Sequence, residues 1–229
     1  MNKTAAFVIC AYKCQDFIPD LLYGLRNQAP VPGWDIEIRI GVDNCIETAK
    51  ALEKFNQPYY WSNENVGHAI LRNSLMYVKP ADALMYFDAD DQPFKSYSLY
   101  NLRELKYKKI IMPAKLNCDV NLKPLCTAKV ENGGAMTFGS ELLDAVGGFA
   151  PYRCAIDTDL MRRAEMCGFE IIPFHTALYY RRSHPGALTK CKATGMGSPY
   201  RKTVWSEMCA AREKGIFKID PVTVKLEAR

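Results

Sequence analysis

Three acidic residues, Asp88, Asp90 and Asp91, follow an apolar run in the stretch ALMYFDADDQP. Alternate residues of a strand point to the same face, so the carboxylates of Asp88 and Asp90 can project together beyond a strand end. Two or three carboxylates at one point bind a hard cation such as Mg²⁺ or Mn²⁺ and leave coordination positions open for phosphate oxygens. The alternative is a solvated turn in which Asp91 caps the next segment. The acidic residues alone do not decide between a metal site and such a turn.

The segments before this turn alternate between strand and helix patterns. AAFVICAY and ALMYF are continuous apolar runs, typical of strands buried on both faces, and WDIEIRIGVD alternates as a half-buried strand does. CQDFIPDLLYGLRNQ and GHAILRNSLMYV space their apolar residues as helices do. This order predicts an α/β fold with a Rossmann-like, mainly parallel central sheet flanked by helices. Ligands of such sheets bind at the carboxyl ends of the strands, where Ala11, Tyr12, Asp43 and the acidic turn should lie.

The second half of the sequence predicts a smaller, mixed arrangement of helices and strands. Helices are expected over SYSLYNLRELKY, GSELLDAVGGF and DTDLMRRAEMCG, and strands over KIIMPAKL, ENGGAMTF and FEIIPFHTALYYRR. A polar, glycine-bearing loop and a last helix within TVWSEMCAAREKG follow. No repeat or linker divides the chain, so we expect one domain over residues 1–229, with parts at 1–92, 93–190 and 191–229.

Composition is that of an ordinary globular protein, with 229 residues, 48% of them hydrophobic and 24% charged. The nine cysteines show no C-x-x-C pair, which favours reduced thiols used as small core residues. No apolar stretch is long enough for a signal peptide or a membrane span, so we expect a soluble, cytoplasmic protein without a transmembrane segment. A net charge of +5 favours anionic partners such as nucleotides, nucleic acids or membrane surfaces without choosing among them.

The order of these motifs resembles the family 2 glycosyltransferases, which have the GT-A fold. FVICAYKCQDFIPDLLYGLRNQ is similar to the family's first strand and helix, and GVDNC stands where the family has an aspartate that contacts the base or ribose. NENVGHAILRN is close to the family pattern N-x-G-x(3)-A-R-N, with Leu71 where alanine is common, and YFDADD falls at the metal-binding D-x-D. The resemblance covers residues 5–190. It implies a nucleotide-sugar site formed by Ala11, Tyr12, Asp43, Asn65, Gly67, Arg72, Asp88, Ala89, Asp90, Gly134, Arg181 and Arg182.

Downstream, the stretch from GGAMTF to CGFEI resembles the acceptor-side segment of the same family. Aligned by DTDL, Asp157 takes the place of the catalytic base and Asp159 that of its neighbour, while Ile156 replaces the family's glutamate. Either aspartate can be the base at this stage. YYRRSHPGALTK is similar to the turn in which a histidine completes the metal site, which implies that His184 joins Asp88 and Asp90 as a metal ligand.

The resemblance implies a metal-dependent, inverting glycosyltransferase of the hexosyltransferase type. Its donor would be a nucleoside-diphosphate sugar, with a UDP-sugar expected, its cofactor Mn²⁺ or Mg²⁺, and its acceptor the hydroxyl of a glycan, lipid-linked or other compound. Residues 1–92 would then bind the donor, 93–190 would hold the acceptor and catalytic groups, and 191–229 would form a mobile loop and C-terminal helix.

Three alternatives to this function remain open from the sequence. A glycosyltransferase that modifies a nucleic-acid base suits the mild basic charge, but basic and aromatic residues do not interleave as in a strand-binding groove. A nucleotidyltransferase usually has a glycine-rich loop after its first strand, and CAYKCQDF has no glycine. An inactive nucleotide-sugar-binding module is disfavoured by the presence of all four aspartates named for the metal and base roles.

Overall fold

A computed structural model describes residues 1–125 and 134–229, and its strands all join one sheet with helices on both faces. Residues 126–133 lie outside this description, and with them the beginning of the predicted strand ENGGAMTF. The strands are β1 (Lys3–Ala11), β2 (Trp34–Asp43), β3 (Tyr60–Ser62), β4 (Ala83–Asp88), β5 (Gln92–Pro93), β6 (Lys109–Cys118), β7 (Ala135–Gly139), β8 (Glu170–Arg182) and β9 (Glu227–Ala228). The helices are α1 (Ile18–Arg26), α2 (Ile46–Lys54), α3 (His68–Tyr77), α4 (Tyr97–Glu104), α5 (Glu141–Val146), α6 (Ile156–Met166) and α7 (Pro199–Glu213).

The strand order is β5-β8-β6-β7-β4-β1-β2-β3-β9. Neighbouring strands run parallel from β4 through β1 and β2 to β3, which confirms the strand and helix alternation predicted for the first ninety residues. Beyond β4 the sheet is mixed, because β7 is antiparallel to both of its neighbours while β8 is parallel to β6. The two short edge strands β5 and β9 also pair antiparallel.

The expectation of a mainly parallel sheet is therefore wrong for the sheet as a whole, which is mixed. Strands were predicted over KIIMPAKL and ENGGAMTF, and the structure confirms the first and the AMTF part of the second, both largely buried. A buried strand has the same apolar pattern in either direction, however, so the sequence carried no signal for the antiparallel course of β7.

Alternate residues of β1 divide the core into two layers. Ala5, Phe7 and Ile9 pack in one apolar cluster with α1, α2 and α4, and Ala6 and Val8 pack in the other with α3, α5 and α6. A strand covered on both faces by helices must be apolar at every position, which explains the unbroken run AAFVI. The carboxyl end of β1, at the centre of the sheet, is thereby fixed from both sides.

The chain after α7 returns across α3 to the far edge of the sheet. Val224 donates its backbone N–H to the Ser74 hydroxyl at 2.9 Å, and β9 pairs with β3 where Ala228 lies opposite Tyr60. This return was not predicted, since a two-residue strand has no recognisable period. Among the described helices the longest has 15 residues, and none is long and apolar enough to cross a bilayer.

Asn73 joins α3 to two distant parts of the chain. Its side-chain amide donates to the Phe149 carbonyl at 2.9 Å and to the Val222 carbonyl at 3.2 Å, and its oxygen accepts from the Phe149 N–H at 2.8 Å. The side chain is fully buried. Asn73 thus fixes α3 against the segment that leads to α6 and against the C-terminal tail.

We expect Asn73→Ala to lower the free energy of unfolding by about 2–3 kcal/mol, because it leaves the buried N–H and C=O of Phe149 without partners. Urea denaturation measures the loss. The matched control is Asn27→Ala, which removes an exposed amide bonded to its own helix at Tyr23 and should cost less than about 0.5 kcal/mol. Equal losses in the two variants would contradict the bridging role of Asn73.

Candidate active site

The acidic triad of Asp88, Asp90 and Asp91 lies at the carboxyl end of β4, near the centre of the sheet. Asp88 is the last residue of β4 and stands opposite Cys10 of β1. One ligand atom from each carboxylate can be chosen so that all three lie within 4.8 Å of one another. Phe87, the residue before the triad, is fully buried and packs edge-on against Tyr179 of β8, with ring centroids 5.4 Å apart. The strand and its aromatic packing therefore hold the triad in place.

Each carboxylate of the triad meets a different donor. Asp88 Oδ1 accepts from the Arg72 guanidinium at 2.5 Å, and Asp90 Oδ2 lies 2.8 Å from His184 Nε2. Asp91 Oδ1 accepts from the Arg182 backbone N–H at 2.9 Å. Its other oxygen, Oδ2, is buried and has no hydrogen-bond partner within residues 1–125 and 134–229. These three donors come from α3 and from the end of β8.

Two carboxylates of the triad, Asp88 and Asp91, bind protons more readily than an ordinary aspartate does. Burial raises the pKa of Asp88 to about 6; Arg72 acts against this shift, and the charge of Asp90 adds to it. Burial, followed by the charges of Asp90 and Asp88, raises the pKa of Asp91 well above its usual range. Without a cation, Asp88 and Asp91 therefore bind protons at a higher pH than exposed aspartates do.

The triad and His184 fit a hard divalent cation. Asp91 Oδ2 is a buried acceptor without a hydrogen-bond partner among the described residues, and an unsatisfied group of this kind costs free energy unless a ligand meets it. Carboxylate oxygens suit Mg²⁺ and Mn²⁺, and an imidazole nitrogen can complete such a set. The structure brings together all three residues predicted as metal ligands, namely Asp88, Asp90 and His184, and adds Asp91.

The beginning of α3 is fixed by Asp43, the last residue of β2. One carboxylate oxygen of Asp43 accepts from the Val66 N–H at 2.8 Å and the other from the Gly67 N–H at 2.9 Å. The Asn65 amide donates to the Asp43 carbonyl at 3.2 Å. Gly67 has φ +83°, which glycine adopts without strain, so the chain can turn sharply into the helix. Asp43, Asn65 and Gly67, all predicted to bind the nucleotide sugar, thus form one connection at the edge of the site.

Arg72 reaches the triad from the first turns of α3. Its guanidinium stacks on Tyr86, with the carbon atom 3.9 Å from the ring centroid, and its side chain is only 4% exposed. A buried guanidinium of this kind needs a carboxylate partner, and Asp88 provides it. Arg72 therefore holds one carboxylate of the triad, that of Asp88, in a fixed position.

The two arginines at the end of β8 differ in their surroundings. Arg182 is buried, and its guanidinium donates to Asp20 Oδ2 of α1 at 2.7 Å and to the Asp90 carbonyl at 3.1 Å, so it supports the turn of the triad. Arg181 is half-buried, and a Cβ placed on Gly134 would lie 4.0 Å from its Nε and 3.9 Å from Asp88 Oδ2. Arg181 and Asp88 therefore lie beside the same space next to Gly134. This space is open because glycine has no side chain.

Three of the predicted positions are close to these groups in the chain but make no polar side-chain contact with the triad. Ala11 ends β1 and is buried, and Ala89 is buried within the turn of the triad. Tyr12 is 47% exposed just beyond β1, with the Lys13 ammonium 5.3 Å from its ring centroid. The ring of Tyr12 is thus accessible at the same edge of the sheet as Asp43.

Asp157 and Asp159 lie in the first turn of α6 and have different environments. Asp159 is buried and pairs with Arg163, whose Nε and Nη2 donate to Asp159 Oδ2 at 2.8 and 2.7 Å. Arg163 also donates to the carbonyls of Val146 and Gly148, so the pair fixes α6 against the end of α5. Asp157 is only partly buried and accepts from the Thr158 N–H at 2.8 Å.

Asp157 shares its electrostatic environment with the triad. Its charge is among those that raise the pKa of Asp88, after burial and the nearer charged groups. Asp159 is engaged with Arg163, whereas no salt bridge joins Asp157 to a cation among the described residues. The two aspartates of this helical turn therefore differ in how far their carboxylates are already engaged.

Sequence analysis missed two supporting residues, Asp20 and Phe17. Asp20 pairs with Arg182 across 162 positions of the chain, and the Phe17 ring lies against the His184 imidazole with centroids 4.9 Å apart. Both residues lie at the beginning of α1, where an acidic residue and an aromatic residue are common for local reasons. No local signal distinguished them.

We expect Asp159→Asn to lower the free energy of unfolding by about 3–5 kcal/mol, because it leaves the buried charge of Arg163 uncompensated. The control is Asp157→Asn in the same helical turn, which should cost less than about 1 kcal/mol because that carboxylate is only partly buried and forms no salt bridge with the described residues. Thermal and urea unfolding measure both variants. The assignment of Asp159 to a structural role would be wrong if the two variants unfolded alike.

We expect the stabilisation of the protein by Mn²⁺ to be large at pH 7.5 and nearly absent at pH 5. A metal ligand must be deprotonated, and the pKa of Asp88 is raised to about 6, so protons compete with the cation below this pH. Affinity should fall at least about tenfold for each pH unit below 6, since at least one proton is taken up. Thermal unfolding with and without Mn²⁺ at each pH measures the effect, and equal stabilisation at both pH values would contradict it.

No protein-family model matches the sequence, and no curated protein matches it closely enough to count as a relative. Many solved structures resemble the chain, and two of them illustrate the likeness. S. aureus TarS in complex with UDP-GlcNAc has 17% sequence identity and a TM-score of 0.63, over 81% of this chain and 60% of that one. The mannosyltransferase PcManGT from Pyrobaculum calidifontis, in complex with GDP-Man and Mn²⁺, has 14% identity and a TM-score of 0.72, over 93% of this chain and 65% of that one.

The matched region spans about 60 to 65% of the length of these two proteins. At such low identities the likeness shows the fold and not the activity. The chain has a mixed α/β fold similar to that of glycosyltransferases, as the sequence resemblance implied.

Proposed function

We propose that the chain is a metal-dependent, inverting glycosyltransferase that moves a sugar from a UDP-sugar to an acceptor hydroxyl. The observation that carries the proposal is the acidic triad with His184 at the carboxyl end of β4, in the electrostatic reach of Asp157, a carboxylate that forms no salt bridge with any described residue. A diphosphate leaving group needs positive charge, and an acceptor hydroxyl needs a base. The triad with His184 would hold the cation that supplies the positive charge, and Asp157 would be the base.

Asp88, Asp90, Asp91 and His184 are the residues that would hold Mn²⁺ or Mg²⁺. When bound, the cation supplies positive charge that stabilises the diphosphate as the bond to the sugar breaks. Arg72 keeps Asp88 in position, and Arg182 supports the backbone of the turn through its contacts with Asp20 and with the Asp90 carbonyl. These two arginines are positioning residues in the proposed reaction.

Arg181 is the cation of β8 that can contact the diphosphate itself. Burial disfavours its charged form, but Asp91, Tyr179 and the other triad carboxylates more than offset this and raise its pKa. The guanidinium therefore stays protonated beside the space at Gly134. A fixed cation aimed at the leaving group stabilises the charge that develops there without reorganisation of solvent.

Asp157 acts as the base in this proposal. As the acceptor hydroxyl attacks the anomeric carbon, its proton passes to the Asp157 carboxylate, and the electron pair of the breaking bond goes to the diphosphate oxygen. Attack on the face opposite the leaving group inverts the anomeric configuration. Asp159 and Arg163 hold the first turn of α6, and with it Asp157, against α5.

The donor class is supported by the ligands of the two similar proteins. TarS is in complex with UDP-GlcNAc and PcManGT with GDP-Man, so a nucleotide sugar can occupy this fold with either base. A UDP-sugar is the first donor to test with this chain. The acceptor is a hydroxyl compound whose chemistry the site does not specify.

The proposal predicts release of a nucleoside diphosphate from at least one nucleotide sugar in a panel of UDP- and GDP-sugars with Mn²⁺ or Mg²⁺. Asp157→Asn should lower the rate of transfer by about 10²- to 10⁴-fold, because the base is lost, while nucleotide affinity stays within about twofold. Product release and calorimetric binding measure the two quantities. NMR of the product should show an inverted anomeric configuration.

The control variant for this experiment is Asp144→Asn, which removes an exposed carboxylate on α5. It should leave transfer unchanged. Absence of turnover and of metal-dependent nucleotide binding across the whole panel would contradict the function, and near-normal transfer by Asp157→Asn would contradict the assignment of the base.

A further inference from the structure

A long stretch of the chain that leads away from the triad has no acidic residue. Between Glu170 and Glu207, residues 171–206 include six arginine or lysine residues and no aspartate or glutamate. The stretch covers the end of β8, with Arg181 beside the triad, and continues through the loop at 183–198 into the first half of α7. The net charge of +5 for the whole chain does not show how strongly positive charge is concentrated here.

The contacts of α7 place this stretch beside the proposed base, Asp157. Val204 and Met208 of α7 pack on Cys154, in the segment that leads into α6. Burial raises the pKa of the Cys154 thiol, and the charges of Arg201, which lowers this pKa, and Asp157, which raises it, both reach the same thiol. Arg201 and Asp157 therefore lie close to one another, on the side of the site where the acceptor hydroxyl must bind.

The cations of this part of the chain are available to an anion. Lys192 and Lys202 are exposed and Arg201 is partly buried, and none of the three forms a salt bridge with a residue in the described ranges. Arg201 Nε donates to the Thr194 carbonyl at 3.1 Å, which fixes the side chain but uses only one of its five N–H donors. The acceptor side of the site therefore carries positive charge that no described carboxylate pairs with.

Two exposed aromatic residues of α7 lie among these cations. Trp205 is 46% exposed, and the guanidinium carbon of Arg162 from α6 lies 3.9 Å from its ring centroid. Tyr200 is 37% exposed, and its hydroxyl accepts from the Arg153 backbone N–H at 3.2 Å. Basic and aromatic residues from separate elements therefore meet on one surface, which the sequence pattern alone did not indicate.

A nucleic-acid strand fits this surface better than a membrane does. Cations bind the phosphates of such a strand, and aromatic rings stack on its bases. A helix that lies on a membrane turns an apolar face to the lipid. In α7, however, the apolar residues Val204 and Met208 are buried against Cys154, while Lys202 and Ser206 are exposed and polar.

We propose that the acceptor is a single-stranded nucleic acid, whose phosphates bind Lys192, Arg201 and Lys202 and one of whose bases stacks on Trp205. This inference rests on the proposed function and names the class of its acceptor. The hydroxyl group that loses its proton to Asp157 belongs to a ribose or to a hydroxymethylated base. A single strand is required because a base within a duplex cannot reach an active site unless it is turned out of the stack.

The test measures fluorescence anisotropy of labelled single strands of about 20 nucleotides, one of RNA and one of DNA with hydroxymethylcytosine, at several salt concentrations. In the double variant Lys192→Gln/Lys202→Gln, the slope of log affinity against log salt should become less steep by about 1.4, since each lost phosphate contact changes it by about 0.7. Trp205→Ala should weaken binding roughly 5- to 100-fold, the value of one stacked base, with the slope unchanged. Trp205→Phe should retain part of the affinity.

The matched control is Lys50→Gln/Lys54→Gln, which removes the same charge from exposed positions of α2, on the opposite face of the sheet from α6. It should keep the wild-type affinity and slope. Equal effects of the two double variants would overturn the inference, because net charge alone would then account for binding. Stronger binding of the wild type to phosphatidylglycerol vesicles than to either strand would also overturn it, in favour of a membrane surface.

Transfer to the strand is measured separately from binding. With a donor that releases a nucleoside diphosphate, mass spectrometry should show the sugar added to one of the two strands, and that strand should raise the rate of release. Release without modification of either strand overturns the inference and leaves the proposed function intact. Absence of nucleotide binding and of release with every donor overturns both, whatever the affinity for the strands.

Discussion

The repulsion among three carboxylates at the end of one strand is the constraint on which the rest of the site depends. Asp88, Asp90 and Asp91 offer ligand atoms within 4.8 Å of one another, so the fold must supply positive charge or hydrogen-bond donors around them. Arg72 provides one from α3, and the end of β8 provides the others through the Arg182 backbone and His184. One oxygen stays unpartnered and buried, which leaves the cluster suited to a cation.

Helix α3 connects the separate parts of the site. Its N-terminus is held by Asp43 at the end of β2, and Arg72, one turn further along, pairs with Asp88 at the end of β4. The next residue, Asn73, bonds to the segment that leads to α6, where Asp157 lies. A shift of this helix would therefore disturb the contacts with Asp43, with the triad and with the segment before α6 together. Three polar residues of α3, namely Arg72, Asn73 and Ser74, are buried.

Sequence patterns were sufficient for the parallel half of the sheet and for the acidic turn, because both depend on local periods and on residues close in the chain. They were insufficient for partners that are far apart. Arg182 and Asp20 are separated by 162 positions, and the contact of His184 with Asp90 across 94 positions was implied by the family resemblance and not by any local pattern. Strand direction in the second half and the return of the C-terminal tail likewise depend on tertiary packing. The engagement of Asp159 with Arg163, four residues further along the same helix, was likewise not predicted from the sequence.

Direct measurement of Mn²⁺ binding tests the central claim, that the triad with His184 is a divalent-metal site. Electron paramagnetic resonance follows free Mn²⁺ as the protein is titrated at pH 7.5, in the wild type and in Asp90→Asn. The account predicts one bound Mn²⁺ per wild-type chain, tightened by UDP, and loss of that binding when Asp90 becomes an amide. Equal Mn²⁺ binding by the two proteins, or none by the wild type with UDP present, would contradict it.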